Sequence, residues 1–162
     1  MNDTAPSKSV GNTVRLHRVF KAPVEKLYRA FTDADALVYW SAPFGFVAKM
    51  HEFDVKVGGG YKMSFVNFGT GAAHAFSVKF VEVVPNERLR YTDQFDDPNL
   101  PGTIEVTVEM KSVACGSELN IVQSGLPDVI PVEMCYLGWQ ESLTQLANLV
   151  EPVIPDGPPT DE

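Results

Sequence analysis

Residues 132–150 read VEMCYLGWQESLTQLANLV, and in them Val132, Tyr136, Trp139, Leu143, Leu146 and Val150 recur at steps of 4, 3, 4, 3 and 4. That is the period of an α-helix with a single apolar stripe, sustained for about five turns of ~3.6 residues. The period begins past Pro127 and Pro131 and is closed by Pro152 and Pro155. At ~1.5 Å per residue such a helix reaches across a whole β-sheet.

Upstream of this helix the period is two. From Gly102 to Lys111, Ile104, Val106, Val108 and Met110 alternate with Thr103, Glu105, Thr107 and Glu109, so one face is buried and the other wet. Tyr61, Met63 and Phe65 alternate with Lys62 and Ser64. Phe76, Val78 and Phe80 share a parity with His74 and Glu82, Leu89, Tyr91 and Phe95 with Asp93, and Leu119 and Ile121 with Gln123. Turn residues separate the runs at Gly58 to Gly60, Gly69 to Gly71, Pro85 to Glu87, Pro98 to Gly102 and Cys115 to Ser117. Connections this short favour an antiparallel meander over parallel units with crossover helices.

Towards the N-terminus, Thr13 to Phe20 alternates as a first strand, placed at a sheet edge. Pro23 then suits the first turn of a helix that carries Val24, Leu27, Tyr28 and Phe31 on one side. Thr32 or Asp33 can cap a second short helix, whose Leu37 and Trp40 form a buried pair, and Pro43 ends it. The expected architecture is α+β: a curved antiparallel sheet of about seven strands, two short helices after the first strand, and the long C-terminal helix packed across the sheet's apolar face.

Six segments in this order resemble a known family. They are Val19 to Tyr28 (VFKAPVEKLY), Tyr39 to Pro43 (YWSAP), Phe53 to Tyr61 (FDVKVGGGY), Val81 to Leu89 (VEVVPNERL), Ser117 to Gly125 with its SEL start and SG end, and Gly138 to Leu143 (GWQESL). Together they span roughly residues 13 to 152. The chain resembles the SRPBCC, or START-like helix-grip, superfamily, and within it the group named for the activator of the ninety-kilodalton heat-shock-protein ATPase. The resemblance implies a hollow between sheet and long helix that relatives use for lipids, polyketides, hormones or other apolar molecules; some relatives are cyclases or aromatases and others only bind. The chaperone activity that names the group belongs to larger proteins with a further N-terminal domain and is not expected here. The sequence departs from the family pattern at Lys56, where Arg is common, and at Asp93, where an aromatic is common.

Composition narrows the function classes. A hydrophobic fraction of 44% and a charged fraction of 21% are those of an ordinary globular domain. At 162 residues a single domain buries roughly 70% of its unfolded surface, which leaves room for a cavity in the core. Residues 13–152 read as that domain, with polar residues 1–12 and the Pro- and acid-rich 153–162 as flexible ends. The net charge of −8 repels nucleic acid and anionic lipid. No stretch resembles a signal peptide or a membrane span, so the expectation is a cytoplasmic protein without membrane insertion. Cys115 and Cys135 lack metal or redox spacing and are expected to be reduced thiols.

No cofactor, metal or catalytic residue is expected. His17, His51 and His74 are far apart and have no ligand spacing, and Ser41, Ser124 and Cys135 sit in no nucleophile motif. The candidates are instead the side chains that would line a pocket. Polar ones on apolar strand parities are His51 beside Phe53, His74 and Glu82 with Phe76 and Phe80, Asp93 between Tyr91 and Phe95, and Gln123 after Ile121. Each, if buried, needs a hydrogen bond, a water or a ligand. Trp40, Phe44, Met63, Phe65, Phe76, Tyr91, Trp139 and Leu143 supply the apolar lining, the large aromatics serving either core or pocket wall.

Three readings follow. The preferred one is a non-catalytic binding protein for a small, largely apolar molecule. The second is a cyclase-, aromatase- or hydratase-like enzyme with His51 or His74 and Asp93 or Glu82 as acid and base. The third is an interaction module acting through its surface. A homodimer through a sheet edge or the short helices is compatible with all three.

Overall fold

In the computed structural model, which describes residues 12–158, the apolar runs form one sheet and three helices. The looseness expected of residues 1–12 and 153–162 concerns mainly positions outside the described residues; residues 153–158 carry no helix or strand. Strand β1 (Val14–Phe20) leads into helices α1 (Val24–Thr32) and α2 (Ala34–Trp40). Six strands follow: β2 (Phe46–Phe53), β3 (Gly60–Asn67), β4 (Ala73–Val84), β5 (Arg88–Phe95), β6 (Ile104–Val113) and β7 (Gly116–Ser124). Helix α3 (Val132–Val150) closes the fold over the limits its stripe predicts.

All strand pairs are antiparallel, in the order β1-β7-β6-β5-β4-β3-β2, so β1 and β2 form the edges of a curled half-barrel. Along β6 the alternation holds: Ile104, Val106, Val108 and Met110 are buried while Glu105, Glu109 and Lys111 face water. Of the two candidate caps for α2, Asp33 does the work, accepting from the Ala36 amide at 3.0 Å. The Thr32 hydroxyl donates back to the Tyr28 carbonyl within α1.

Helix α3 grips the sheet unevenly. Its buried residues, Ser142, Leu143, Leu146, Ala147 and Val150, all belong to its C-terminal half, where they pack with Phe20, Leu27, Phe31, Leu119 and Ile121. The same half is tied to the chain that leaves α2. Ser142 Oγ donates to the Ser41 carbonyl at 2.8 Å, and Gln145 Nε2 to those of Trp40 and Ala42 at 3.0 and 2.6 Å. Glu141 accepts from the Phe44 amide at 3.1 Å. Such bonds satisfy backbone groups left over at the end of α2, each contributing a net ~1 kcal/mol. In the N-terminal half, Val132, Tyr136 and Trp139 touch the core but stay partly open. None of the described helices is long and apolar enough to cross a membrane.

Two β-bulges correct the parity reading. The register of β2 against β3 shifts between Met50 and Glu52, and that of β4 against β5 between Phe80 and Glu82. An extra residue re-aims its neighbours. Glu82 therefore leaves the face of Phe80 and pairs with Arg88 and Arg90 at 3.2 and 3.6 Å. His51 leaves the face of Phe53, and its Nε2 lies 2.8 Å from Ser64 Oγ. Ser64 sits between Met63 and Phe65 on β3 and so points to the opposite side of the sheet.

The glycine run between β2 and β3 serves a close backbone approach. The Gly58 amide donates to the Phe80 carbonyl at 3.0 Å, and the Phe80 amide to the Gly59 carbonyl at 2.8 Å, beside the β4 bulge. A Cβ at Gly60 would stand 1.8 Å from the Val78 carbonyl oxygen, a contact that only backbone movement relieves. Gly60→Ala is expected to lower the stability to urea by about 2 kcal/mol or more. Gly157→Ala, where a Cβ meets nothing within 4 Å, should leave the urea midpoint unchanged.

Candidate functional site

Where the N-terminal half of α3 stands off the sheet, a hollow of about 830 Å³ opens to solvent. Its floor is the concave face of three strands: Tyr61, Met63 and Phe65 from β3, Phe76 and Phe80 from β4, and Leu89, Tyr91, Asp93 and Phe95 from β5. Met134, Cys135, Gly138, Trp139 and Ser142 of α3 form the roof. Phe31, Leu37 and Trp40 close one side, with Gln123, Leu126 and Ile130 beside the roof. Ala73, His74, Asp96 and Asp97 line the hollow and are also exposed, which places them at its mouth.

The aromatic walls hold one another in place. Phe65 meets Phe76 edge-on at 4.9 Å between ring centroids, and Phe80 meets Tyr91 at 5.9 Å and Tyr61 at 6.1 Å. Both tryptophans are oriented by their indole N–H. Trp40 donates to the Ala30 carbonyl at 2.8 Å, and Trp139 to Gln123 Oε1 at 2.9 Å, linking α3 to β7 at the edge of the roof. Gln123 thus uses its buried amide to fix the roof.

Asp93 is the exception in this lining. Its register partners are Val78 and Ile104, both apolar, and Tyr91 and Phe95 flank it on its own strand. Part of the residue borders the hollow, yet its Oδ1 is sealed from solvent and has no hydrogen-bond partner. Burial raises its pKa to about 7, against an opposing pull from the Gln94 amide. Burial also pushes the Tyr61 and Tyr91 hydroxyls up, with the Asp93 charge adding to it, so both stay neutral and able to donate. The Cys135 thiol in the roof is raised by burial too.

Of the twelve pocket candidates, Trp40, Met63, Phe65, Phe76, Tyr91, Asp93, Gln123 and Trp139 line the hollow. The other four stand elsewhere. Phe44 is 55% exposed in the chain after α2, and Leu143 belongs to the filled core under the C-terminal half of α3. His51 is on the outer face, and Phe53 packs beside Tyr61 at 6.0 Å between ring centroids. Tyr61, Phe80 and Phe95, which share the apolar parity of their strands, line the hollow as well. Met134, Cys135 and Gly138 carry no stripe position, and they reach the hollow because the roof is wider than the stripe.

The acid–base arrangement is not assembled. His74 lines the mouth and packs edge-on against Phe46 at 6.4 Å, and no hydrogen bond or ion pair among the described residues joins it to a carboxylate. Asp93 pairs with Val78, four residues further along β4. At ~3.3 Å per residue the two are ~13 Å apart along the strand.

Residues 21–151 match the family described as "Activator of Hsp90 ATPase homolog 1-like protein". Among solved structures, protein CV1439 from Chromobacterium violaceum is 56% identical over 88% of this chain and 99% of its own, with a TM-score of 0.86. The AHSA1 protein from Silicibacter pomeroyi shares 24% identity over 84% of this chain and 95% of its own, with a TM-score of 0.72. NE0264 from Nitrosomonas europaea shares 22% over 86% of this chain and 94% of its own, at 0.73, and these last two likenesses concern the fold. A comparison with curated proteins found no match.

The buried carboxyl makes stability depend on pH in a defined direction. In the unfolded chain Asp93 ionises near pH 4, but in the fold only near about 7. Between those values the native state holds the extra proton, so stability falls as pH rises. Asp93→Asn cannot ionise. The stability of the wild type relative to this variant is expected to decline from pH 4 to 7 and level off above, by up to about 4 kcal/mol. Urea midpoints of both proteins across pH 4 to 8 measure it, and a difference independent of pH contradicts the assignment.

Proposed function

The chain belongs to the Activator of Hsp90 ATPase homolog 1-like family, and from that premise we propose that it binds a small, largely apolar molecule between its sheet and α3. The observation that carries this reading is the hollow itself. About 830 Å³ lies within the usual range for sites that enclose a small organic ligand. Large aromatic side chains cover most of its floor, and few polar groups interrupt them. Packed protein interiors do not leave such a space between sheet and helix without loss of dispersion contacts, and an apolar guest restores them.

Binding is favoured over acid–base catalysis by the separation of His74 from Asp93 and by the two bulges that turn His51 and Glu82 to the outer face. Trp40 and Trp139 are the chain's two tryptophans and both border the hollow, so occupancy is readable in intrinsic fluorescence. N-phenyl-1-naphthylamine, a neutral apolar dye that brightens in dry surroundings, is expected to bind saturably at one site per chain and to change the tryptophan emission. Ala73→Trp, at the exposed mouth, should weaken the dye at least tenfold while leaving the melting temperature in place. Absence of saturable dye binding, together with no retained mass in native spectra of protein from its own cells, would count decisively against a ligand site.

A further inference from the structure

Resting on the reading of the hollow as a binding site, we propose that its ligand is a lipophilic amine, an apolar body whose protonated nitrogen lies against Asp93. Apart from His74 at the mouth, the acidic and basic side chains on the described lining are all carboxyls. Asp93, Asp96 and Asp97 border the hollow, and among the described residues no lysine or arginine does. Asp96 is neutralised from outside by Lys62 at 3.0 Å, whereas Asp97 accepts from the Asn99 amide at 2.8 Å and has no cationic partner among the described residues. The interior therefore offers an anionic ligand such as a fatty acid or a phosphate ester no cation, and it would press a second negative charge against a buried carboxylate.

Asp93 in turn has the Gln94 amide as a donor but is short of what an ammonium supplies. Its Oδ1 is closed off without a donor, and its same-face neighbours Val78 and Ile104 cannot provide one. A buried acceptor in that condition is costly, and a charged donor compensates it more fully than a neutral one. The surrounding ring faces suit the same guest. Tyr91 and Phe95 flank Asp93, and Tyr61 pairs with Val78 one strand further on, so an ammonium beside the carboxylate lies among aromatic groups that attract cations.

The other groups facing the hollow do not cancel this preference. Tyr61 on β3 and Tyr91 on β5 are held neutral by burial, as is Cys135 on α3. His74 stands at the mouth with Asp97, four residues along β4 from the partner of Asp93. Because Asp93 takes up a proton near about 7, the preference for a cation strengthens as pH rises past neutrality.

Three probes with one body separate charge from shape: 2-naphthylmethylamine, 2-naphthalenemethanol and 2-naphthylacetate, titrated calorimetrically against the intact chain at pH 8. The amine is expected to bind at least tenfold more tightly than the alcohol, and the carboxylate most weakly. Two controls test the cause. In Asp93→Asn the amine and alcohol should become equal within about threefold, and in the wild type their ratio should shrink when the pH is lowered to 5.5. Equal binding of amine and alcohol at pH 8, or preference for the carboxylate, overturns the amine assignment and leaves the hollow as a site for neutral or anionic molecules. Failure of all three probes while the neutral dye binds also overturns it, and failure of the dye as well removes the binding reading beneath it.

Discussion

Everything distinctive in this fold depends on how α3 is fastened. Ser142, Gln145 and Glu141 bond to the backbone leaving α2, while Leu143, Leu146 and Val150 fill the core beneath. A rod fixed along one half projects the other half at a set height. The first turns of α3 are held over β3 to β5 without having to pack on them, and the space below is what remains. Were the helix fastened only by its apolar stripe, the side chains of its first turns would settle onto the sheet and the volume would close. Directional polar bonds along the C-terminal half, with Trp139 to Gln123 in the roof itself, thus hold the helix beside an unfilled space.

The layers of the fold were legible because each depends on local periodicity. The stripe from Val132 to Val150 predicts the bounds of α3, and the alternation from Ile104 to Met110 predicts which face of β6 is buried. Parity failed at His51 and Glu82 for one reason: a single extra residue in a strand inverts every assignment beyond it, and nothing in the local pattern marks where the ladder slips. Glu82 could have been read from its company, since Arg88 and Arg90 lie across the turn on β5. The candidate site was legible only in part. Met63, Phe65, Phe76, Tyr91 and Asp93 follow from alternation, but whether Leu143 borders a pocket or a core depends on the distance between helix and sheet, which no periodicity encodes.

Asp93 shows how one side chain can be both a structural cost and a chemical resource. Its strand neighbours prescribe burial, its register partners offer no donor, and the result is a carboxyl whose charge state changes near neutrality. Replacing it with an apolar residue would improve the packing logic of β5 and erase the polar feature that distinguishes this floor from plain core. Gln123 represents the opposite solution: its buried amide is engaged by Trp139, so it stabilises the roof.

The N-terminal half of α3, which supplies most of the roof, contributes no fully buried side chain. Helical turns held chiefly by their own backbone bonds unravel and re-form at a small fraction of the energy needed to unfold the domain. Apart from the bonds of Tyr136 to the Arg15 amide and of Trp139 to Gln123, this half of the roof has less buried support than the half that follows it. The two sides of the hollow thus differ in kind: a sheet floor locked by its ladders and a helical roof whose outer turns have more freedom to adjust their height.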